Sequence, residues 1–360
     1  MSARFSKTPE IYTTVPTQPK ERKPGQLSQE QLQQYFDEGY VLVTKFFTDE
    51  ELQPVIEAIN ALVDEVAERL YKAGKITNKH EDASFNDRLT LLEKEFPGAA
   101  ILVHKIGFMP KAFQDLWSNE RLLNVVEQMI GPDIAGHPVW NLRTKVPKNN
   151  QVTVPWHQDN AYLSDEANET LMATAWIPFV DANKVNGCME VGKGGHKKGF
   201  LAKHYCCSGP TLYVELKEED MVKDLDVDME KDIVLCEVPF GRVLFINNMV
   251  PHRSLMNNSN IIRWSVDLRW CNPDKPNGYY DLKESVLMRT SKDPNLKIDW
   301  DKFNTDRHAL EAGKKEGEKE DDLEPIIIGP WMGRWELVHH NKHTQRFLEN
   351  ENKMKSAIKD

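Results

Sequence analysis

The 360-residue chain has no run of about eighteen consecutive apolar residues, so no membrane-spanning helix is expected. Its N-terminus, MSARFSKTPEIYTTVPTQPKERKPG, lacks the apolar stretch of a secretory signal. The closing Ala357-Ile358-Lys359-Asp360 matches no retention or peroxisomal address. Positive charge is in deficit, with 46 Lys and Arg against 56 Asp and Glu and a net charge of -10. That balance argues against a nucleic-acid partner, which calls for a basic patch or stripe. Cysteine is sparse. Cys188, Cys206, Cys207, Cys236 and Cys271 are odd in number and fit no zinc or disulfide framework. The adjacent Cys206-Cys207 reads as a pair of ordinary thiols, and the whole fits a reducing, cytoplasmic setting. No internal repeat is visible, and nothing in the composition fixes the oligomeric state.

Residues 1–26 are polar and proline-containing and read as a flexible tail, followed by a single domain over 27–360. A helical layer is expected over 27–133. Ser28 is an N-cap for a helix ended by Gly39, and Tyr40-Val41-Leu42-Val43 reads as a strand. Thr48-Asp49-Glu50-Glu51 caps a helix to about Ala73 with Leu52, Val55, Ile59, Leu62 and Val66 on one stripe. A further helix is expected around Pro110 to Ile130. From 134 to 272 the pattern turns to short β-rich segments, around 137–146, 152–157, 171–180, 187–191, 233–238, 242–248, 251–256 and 261–271. Turn signals such as Asn186-Gly187 and Gly194-Gly195 separate them. Eight short strands behind helices predict a mainly β protein, a double-stranded β-helix or jelly roll of cupin-like form packed on an N-terminal helical layer. The acidic segment 215–232 reads as a solvated loop or helix face. A C-terminal extension, 273–360, carries a charged loop at 311–322 and an aromatic segment, Pro330-Trp331-Met332-Gly333-Arg334-Trp335, expected to be packed.

The chemistry rests on His157-Gln158-Asp159, with His252 and Arg263 far downstream. Two imidazoles and one carboxylate can occupy one face of an octahedral iron and leave three positions open, the ligand set of non-haem Fe(II) oxygenases. On a strand, residues i and i+2 face the same side, so His157 and Asp159 are expected to point into the barrel together. His252 would reach them from a neighbouring strand. The run Arg263-Trp264-Ser265-Val266-Asp267-Leu268-Arg269-Trp270 alternates, as a half-buried strand does. Its aromatic face should pack on the helices and its polar face should line the barrel. A buried guanidinium there needs an anion, and its planar fork suits a carboxylate. Ser254, two residues after His252, can donate to that carboxylate. An Arg263–Asp267 ion pair is the structural alternative.

The chain resembles the phytanoyl-CoA dioxygenase family of Fe(II)/2-oxoglutarate-dependent oxygenases. The opening Leu27-Ser28-Gln29-Glu30 with Phe36-Asp37-Glu38-Gly39-Tyr40 is similar to that family's, as is Phe47-Thr48-Asp49-Glu50-Glu51-Leu52. So are Lys145-Val146-Pro147 before Pro155-Trp156-His157-Gln158-Asp159, the block Trp176-Ile177-Pro178 with Asn186-Gly187-Cys188-Met189, and His252-Arg253-Ser254 leading to Arg263. The likeness spans roughly residues 27–272. It implies iron held by His157, Asp159 and His252, and 2-oxoglutarate held by Arg263 and Ser254. It also implies that Trp176 and an upstream lysine, Lys105, belong to the 2-oxoglutarate pocket. Gly194-Gly195-His196 departs from the family's Pro-Gly-Ser-His turn.

The implied reaction uses Fe(II), with 2-oxoglutarate and O2 as co-substrates and ascorbate as a helpful reductant. It hydroxylates a C–H bond of a small molecule (a lipid or acyl-CoA, an amino acid or a secondary metabolite) and releases succinate and CO2. Related halogenases lack the carboxylate ligand, so Asp159 favours hydroxylation. Two other readings share these residues. One is a catalytically silent protein that binds 2-oxoglutarate or a metal on the same fold. The other is a zinc hydrolase, for which Arg263 and Ser254 have no purpose.

Overall fold

The computed structural model describes residues 4–209, 211–311 and 323–341, with 344, 345 and 348. The expected charged loop at 311–322 falls, apart from Glu311, outside the described residues.

Helix Gln29–Glu38 begins with a reciprocal cap, in which Ser28 accepts from the Gln31 amide and Gln31 from the Ser28 amide. It ends on Gly39, whose φ is 87°. Helix Asp49–Lys72 opens on the same device at Thr48 and Glu51 and buries the stripe from Leu52 to Leu70. The helix expected over 110–130 is two helices, Lys111–Trp117 and Glu120–Ile130. The break falls where the Asn119 side chain accepts from the Arg121 and Leu122 amides and so starts a new helix. Two further helices, Arg88–Glu95 and Ala99–His104, complete the layer.

The helices cover a seven-stranded sheet in the order Tyr40–Val43, Val243–Asn247, Ala173–Pro178, Arg263–Cys271, Ile134–Gly136 and Val286–Arg289, with Asn141–Lys145 also paired to Arg263–Cys271. A second sheet holds His252–Ser254, Met189–Gly192 and Ile233–Cys236, and a third holds Glu336–Leu337, His204–Ser208 and Tyr213–Leu216. This is the expected jelly roll on a helical layer. The acidic stretch contributes strand Tyr213–Leu216 and helix Glu218–Leu225, which buries Met221 and Leu225.

Strand Arg263–Cys271 is buried along its whole length rather than half-buried. Its apolar face meets the helical layer, where Trp264 stacks on Phe85 at 5.4 Å and donates its Nε1 to the Phe85 carbonyl. Its polar face is buried too, because it lines a closed interior instead of solvent.

Three local expectations are corrected. Segment 4–26 is packed, not a free tail. Tyr12 is fully buried and donates its hydroxyl to the Asn168 carbonyl, and the Ser6 amide donates to the Gly199 carbonyl. Residues 152–157 form no strand. His157 sits on an isolated antiparallel bridge to His252, and Asp159 starts a short 3-10 helix, Asp159–Tyr162. Cys206 and Cys207 are joined to each other, while Cys188, Cys236 and Cys271 are free and buried.

Gly39 carries both a left-handed backbone and a close approach, since a Cβ there would lie 2.7 Å from His196 Nδ1 and from Val250 Cγ2. Gly39→Ala is therefore expected to lower stability by about 1–3 kcal/mol, read as a shift in the urea midpoint with an unchanged slope.

Candidate active site

The bridge between residues 157 and 252 is the structural origin of the centre. The His157 amide donates to the His252 carbonyl and the His252 amide to the His157 carbonyl, at 3.0 and 2.9 Å. The two imidazole rings are thereby held with centroids 4.2 Å apart. The 3-10 turn then swings Asp159 back toward both. His157 Nε2 lies 3.6 Å and His252 Nε2 lies 3.8 Å from Asp159 Oδ1. Each gap is less than twice a metal–ligand bond of about 2.1 Å, so one ion can touch all three. Among the described residues these three are the group whose ligand atoms converge as a metal site, and all are buried.

The tautomers agree with that use. His157 Nδ1 lies 2.9 Å from the Pro155 carbonyl and His252 Nδ1 lies 3.0 Å from the Val250 carbonyl. A carbonyl accepts, so each Nδ1 carries the proton and each Nε2 keeps its lone pair for a metal. Burial holds the His252 imidazole down at about 4, in the neutral form a metal ligand requires.

Asp159 is sealed from water, and burial alone would raise its carboxyl. The Arg269 guanidinium instead holds it well below the ordinary carboxylate range. Arg269 grips it with both arms, Nη2 to Oδ1 at 3.1 Å and Nε to Oδ2 at 3.2 Å. Thr174 Oγ1 donates to Oδ2 at 3.3 Å. Arg269 lies on the alternating polar face read from the sequence, but nothing in the linear pattern pairs it with Asp159.

His157 and His252 line a cavity together with Arg263, Ser254, Trp176 and Lys145. Arg263 donates from Nη1 to Ser265 Oγ at 2.6 Å and from Nη2 to the Gly187 carbonyl at 3.0 Å, and its guanidinium lies over the Trp176 ring. Its Nε is buried without a partner. The Arg263–Asp267 pair does not form, because Asp267 is engaged by Arg143 at 2.7 Å. Ser254 Oγ accepts from the Val154 amide.

Lys105 does not reach this cavity. It caps helix Ala99–His104 and directs Nζ to the Glu324 carbonyl. Lys145 takes the position instead, directly opposite Arg263 in the strand register. Its Nζ donates to the Leu255 carbonyl at 2.7 Å. Burial, and then the Arg263 and Arg143 charges, hold its ammonium well below the usual lysine value. Arg263, with an unpartnered guanidinium nitrogen, and Lys145, whose amine is favoured to hold its proton once an anion sits beside it, face one cavity held only by neutral carbonyls and a hydroxyl, a set that fits a dicarboxylate. The donor set of two imidazoles and a carboxylate fits ferrous iron. His196 lies outside the site: it is fully buried, with Nε2 2.9 Å from the Phe36 carbonyl.

On the other side of the centre, Asp159, Arg143 and Arg269 border a second, wider cavity. Its outer wall includes Arg307, Glu311 and Trp331, all from the C-terminal extension. The aromatic segment at 330–335 is packed as expected, with Trp331 donating to the Leu212 carbonyl and Trp335 to the Ala161 carbonyl, but Trp331 also faces this cavity. Composition gave no hint of that second role.

Arg269→Gln removes the bidentate clamp while keeping the volume near Asp159. Affinity for Mn(II), a spectroscopic stand-in for Fe(II), is expected to fall about 10- to 100-fold, measured by titration of the free-ion paramagnetic signal.

Comparison with known proteins identifies the family. The model of the family "Phytanoyl-CoA dioxygenase (PhyH)" matches residues 35–265. A phytanoyl-CoA dioxygenase domain-containing protein 1 homolog of Dictyostelium discoideum is 21% identical over 271 residues, covering 69% of this chain and 92% of that protein. A 1-deoxypentalenic acid 11-beta-hydroxylase of Streptomyces arenae is 23% identical over 155 residues, covering 41% of this chain and 51% of its own length. Among solved structures, EctD from S. alaskensis with 2-oxoglutarate and 5-hydroxyectoine matches with a TM-score of 0.49 at 16% identity, covering 91% of this chain and 95% of that one. The chain belongs to the phytanoyl-CoA dioxygenase family of non-haem Fe(II)/2-oxoglutarate oxygenases.

Proposed function

We propose that the protein is an Fe(II)- and 2-oxoglutarate-dependent dioxygenase that hydroxylates a C–H bond of a small molecule. The observation that carries this reading is the placing of the triad between two cavities of different character. His157 and His252 face the cavity with the Lys145–Arg263 cations, and Asp159 faces the wider one.

In this reading His157, Asp159 and His252 hold the iron. Arg263 and Lys145 bind the distal carboxylate of 2-oxoglutarate, with Ser254 beside them and Trp176 as the wall against the guanidinium. Bound iron and 2-oxoglutarate supply oxygen activation coupled to loss of CO2 and formation of succinate. The protein's own share is positional. Arg269 keeps Asp159 ionised and oriented, the Pro155 and Val250 carbonyls fix the imidazoles, and the closed walls exclude water from the reacting centre. The presence of Asp159 favours hydroxylation over halogenation, which needs that coordination position for a halide. A zinc hydrolase would leave the two cations across the cavity without a role.

Purified protein given Fe(II), ascorbate and 2-oxoglutarate is expected to release succinate slowly without added substrate, and His157→Ala is expected to release none. Equal succinate from both would refute the reading. Lys145→Gln is expected to weaken 2-oxoglutarate binding to Mn(II)-loaded protein about tenfold or more, and Lys105→Gln to leave it unchanged, by isothermal titration. The opposite ranking would return the role to Lys105.

A further inference from the structure

The wider cavity beside Asp159 has three arginines on its walls, and each is already matched by a carboxylate. Arg269 is matched by Asp159 at 3.1 Å and Arg143 by Asp267 at 2.7 Å. Arg307 is matched by Glu311, with Nε 3.6 Å from Oε1. The third pair is the longest, and Arg307 Nε makes no hydrogen bond, but both partners are held in place by other groups. Glu311 also receives the Tyr279 hydroxyl at 2.9 Å and His308 Nδ1 at 2.8 Å. The Arg307 guanidinium donates further to the Trp140 carbonyl, to Asn141 Oδ1 and to His308 Nε2.

The histidines there are neutral by their hydrogen bonds. His308 Nε2 faces a guanidinium, which can only donate, so that nitrogen accepts and the single proton sits on Nδ1, toward Glu311. His137 accepts the Val139 amide at Nδ1 and gives its Nε2 proton to the Asn277 carbonyl. His104 spends its Nδ1 proton on the Leu142 carbonyl. Burial lowers all three, His137 to about 4.

The rest of the wall is uncharged, with aromatic and aliphatic side chains beside Asn141, Thr211 and Asn248. Tyr162 packs edge-on against the iron-side His157 at 5.6 Å and against Trp331 at 5.5 Å, linking the metal centre to the C-terminal extension. Leu163, Met172 and Ile327 add aliphatic surface.

We infer that this cavity selects an uncharged substrate, and that the Arg307–Glu311 pair enforces the selection by cancelling its own charge. A charged substrate would give up hydration without gaining a free counter-ion, which disfavours it relative to a neutral one. An acyl-CoA, a free carboxylic acid and an ammonium compound are disfavoured together. The inference deepens the proposed function and rests on it, because the cavity is a substrate cavity only if the centre is an oxygenase.

The test uses Mn(II)- and 2-oxoglutarate-loaded full-length protein and three probes of one shape: 2-naphthalenemethanol, 2-naphthoate and 2-naphthylmethylammonium. Isothermal titration is expected to show the neutral alcohol bound at least about tenfold more tightly than either ion. Glu311→Gln strands the Arg307 charge, so naphthoate should gain about tenfold or more relative to the alcohol. Arg307→Gln should favour the ammonium in the same way. The double variant restores neutrality and should restore the parent's order, which also guards against a single variant that fails to fold. Naphthoate binding as tightly as the alcohol in the parent, or no binding of any probe, would overturn the inference. A prior titration that shows no 2-oxoglutarate binding would instead overturn the oxygenase reading, so the two failures are separable.

Discussion

A carboxylate removed from water protonates unless something compensates it, and here the compensation is one guanidinium reaching across from the longest strand. The bidentate Arg269–Asp159 contact, at 3.1 and 3.2 Å, keeps the third metal ligand an anion inside a sealed interior. Much of the architecture serves that contact. The strand Arg263–Cys271 must be central and straight, so it is flanked by Ala173–Pro178 on one side and by Asn141–Lys145 and Ile134–Gly136 on the other. Its outward tryptophans anchor it to the helical layer, and the Trp117 indole donates to the Arg269 carbonyl, fixing the backbone behind the guanidinium.

The polar face of that strand is a short ladder of charge. Arg263 is opposite Lys145, Asp267 pairs with Arg143, and Arg269 pairs with Asp159. Along the ladder the balance changes from net positive at the Arg263 end to neutral at the Arg269 end. The metal ligands stand at the junction, so one strand serves two cavities with opposite electrostatic needs. Burial of this many ionised groups is tolerated because most hydrogen-bonding positions are filled; around the two cavities the exceptions include Arg263 Nε and Asp267 Oδ1 in the first and Arg307 Nε in the second.

The site was legible in the sequence wherever chemistry and spacing coincide. His157, Asp159, His252 and Arg263 stand out because few other folds want those residue types in that order, and the alternation from 263 to 270 correctly divides helix-facing from cavity-facing positions. His157 and Asp159 converge through a bridge and a 3-10 turn, not through strand periodicity. The sequence points to Lys105 and not to Lys145 because register across strands is a tertiary fact, and only pairing with Arg263–Cys271 brings Lys145 opposite Arg263. The 110–130 helix looked continuous because the side-chain cap at Asn119 competes with helix propagation without disturbing the apolar pattern. The role of Trp331 and Glu311 in the second cavity depends on a return of the chain that no local pattern encodes.

Gly187 shows how the first cavity is kept ready. Its φ is 87°, its carbonyl accepts from Arg263, and a Cβ on it would come within 2.4 Å of the Leu255 carbonyl, the same oxygen that accepts from Lys145. The Arg263 guanidinium and the Lys145 amine are therefore tethered to peptide dipoles instead of to acidic side chains. In the proposed reading an arriving diacid trades these weak neutral acceptors for its own stronger charge, and the Asn186-Gly187 turn is the placeholder whose contacts it takes over.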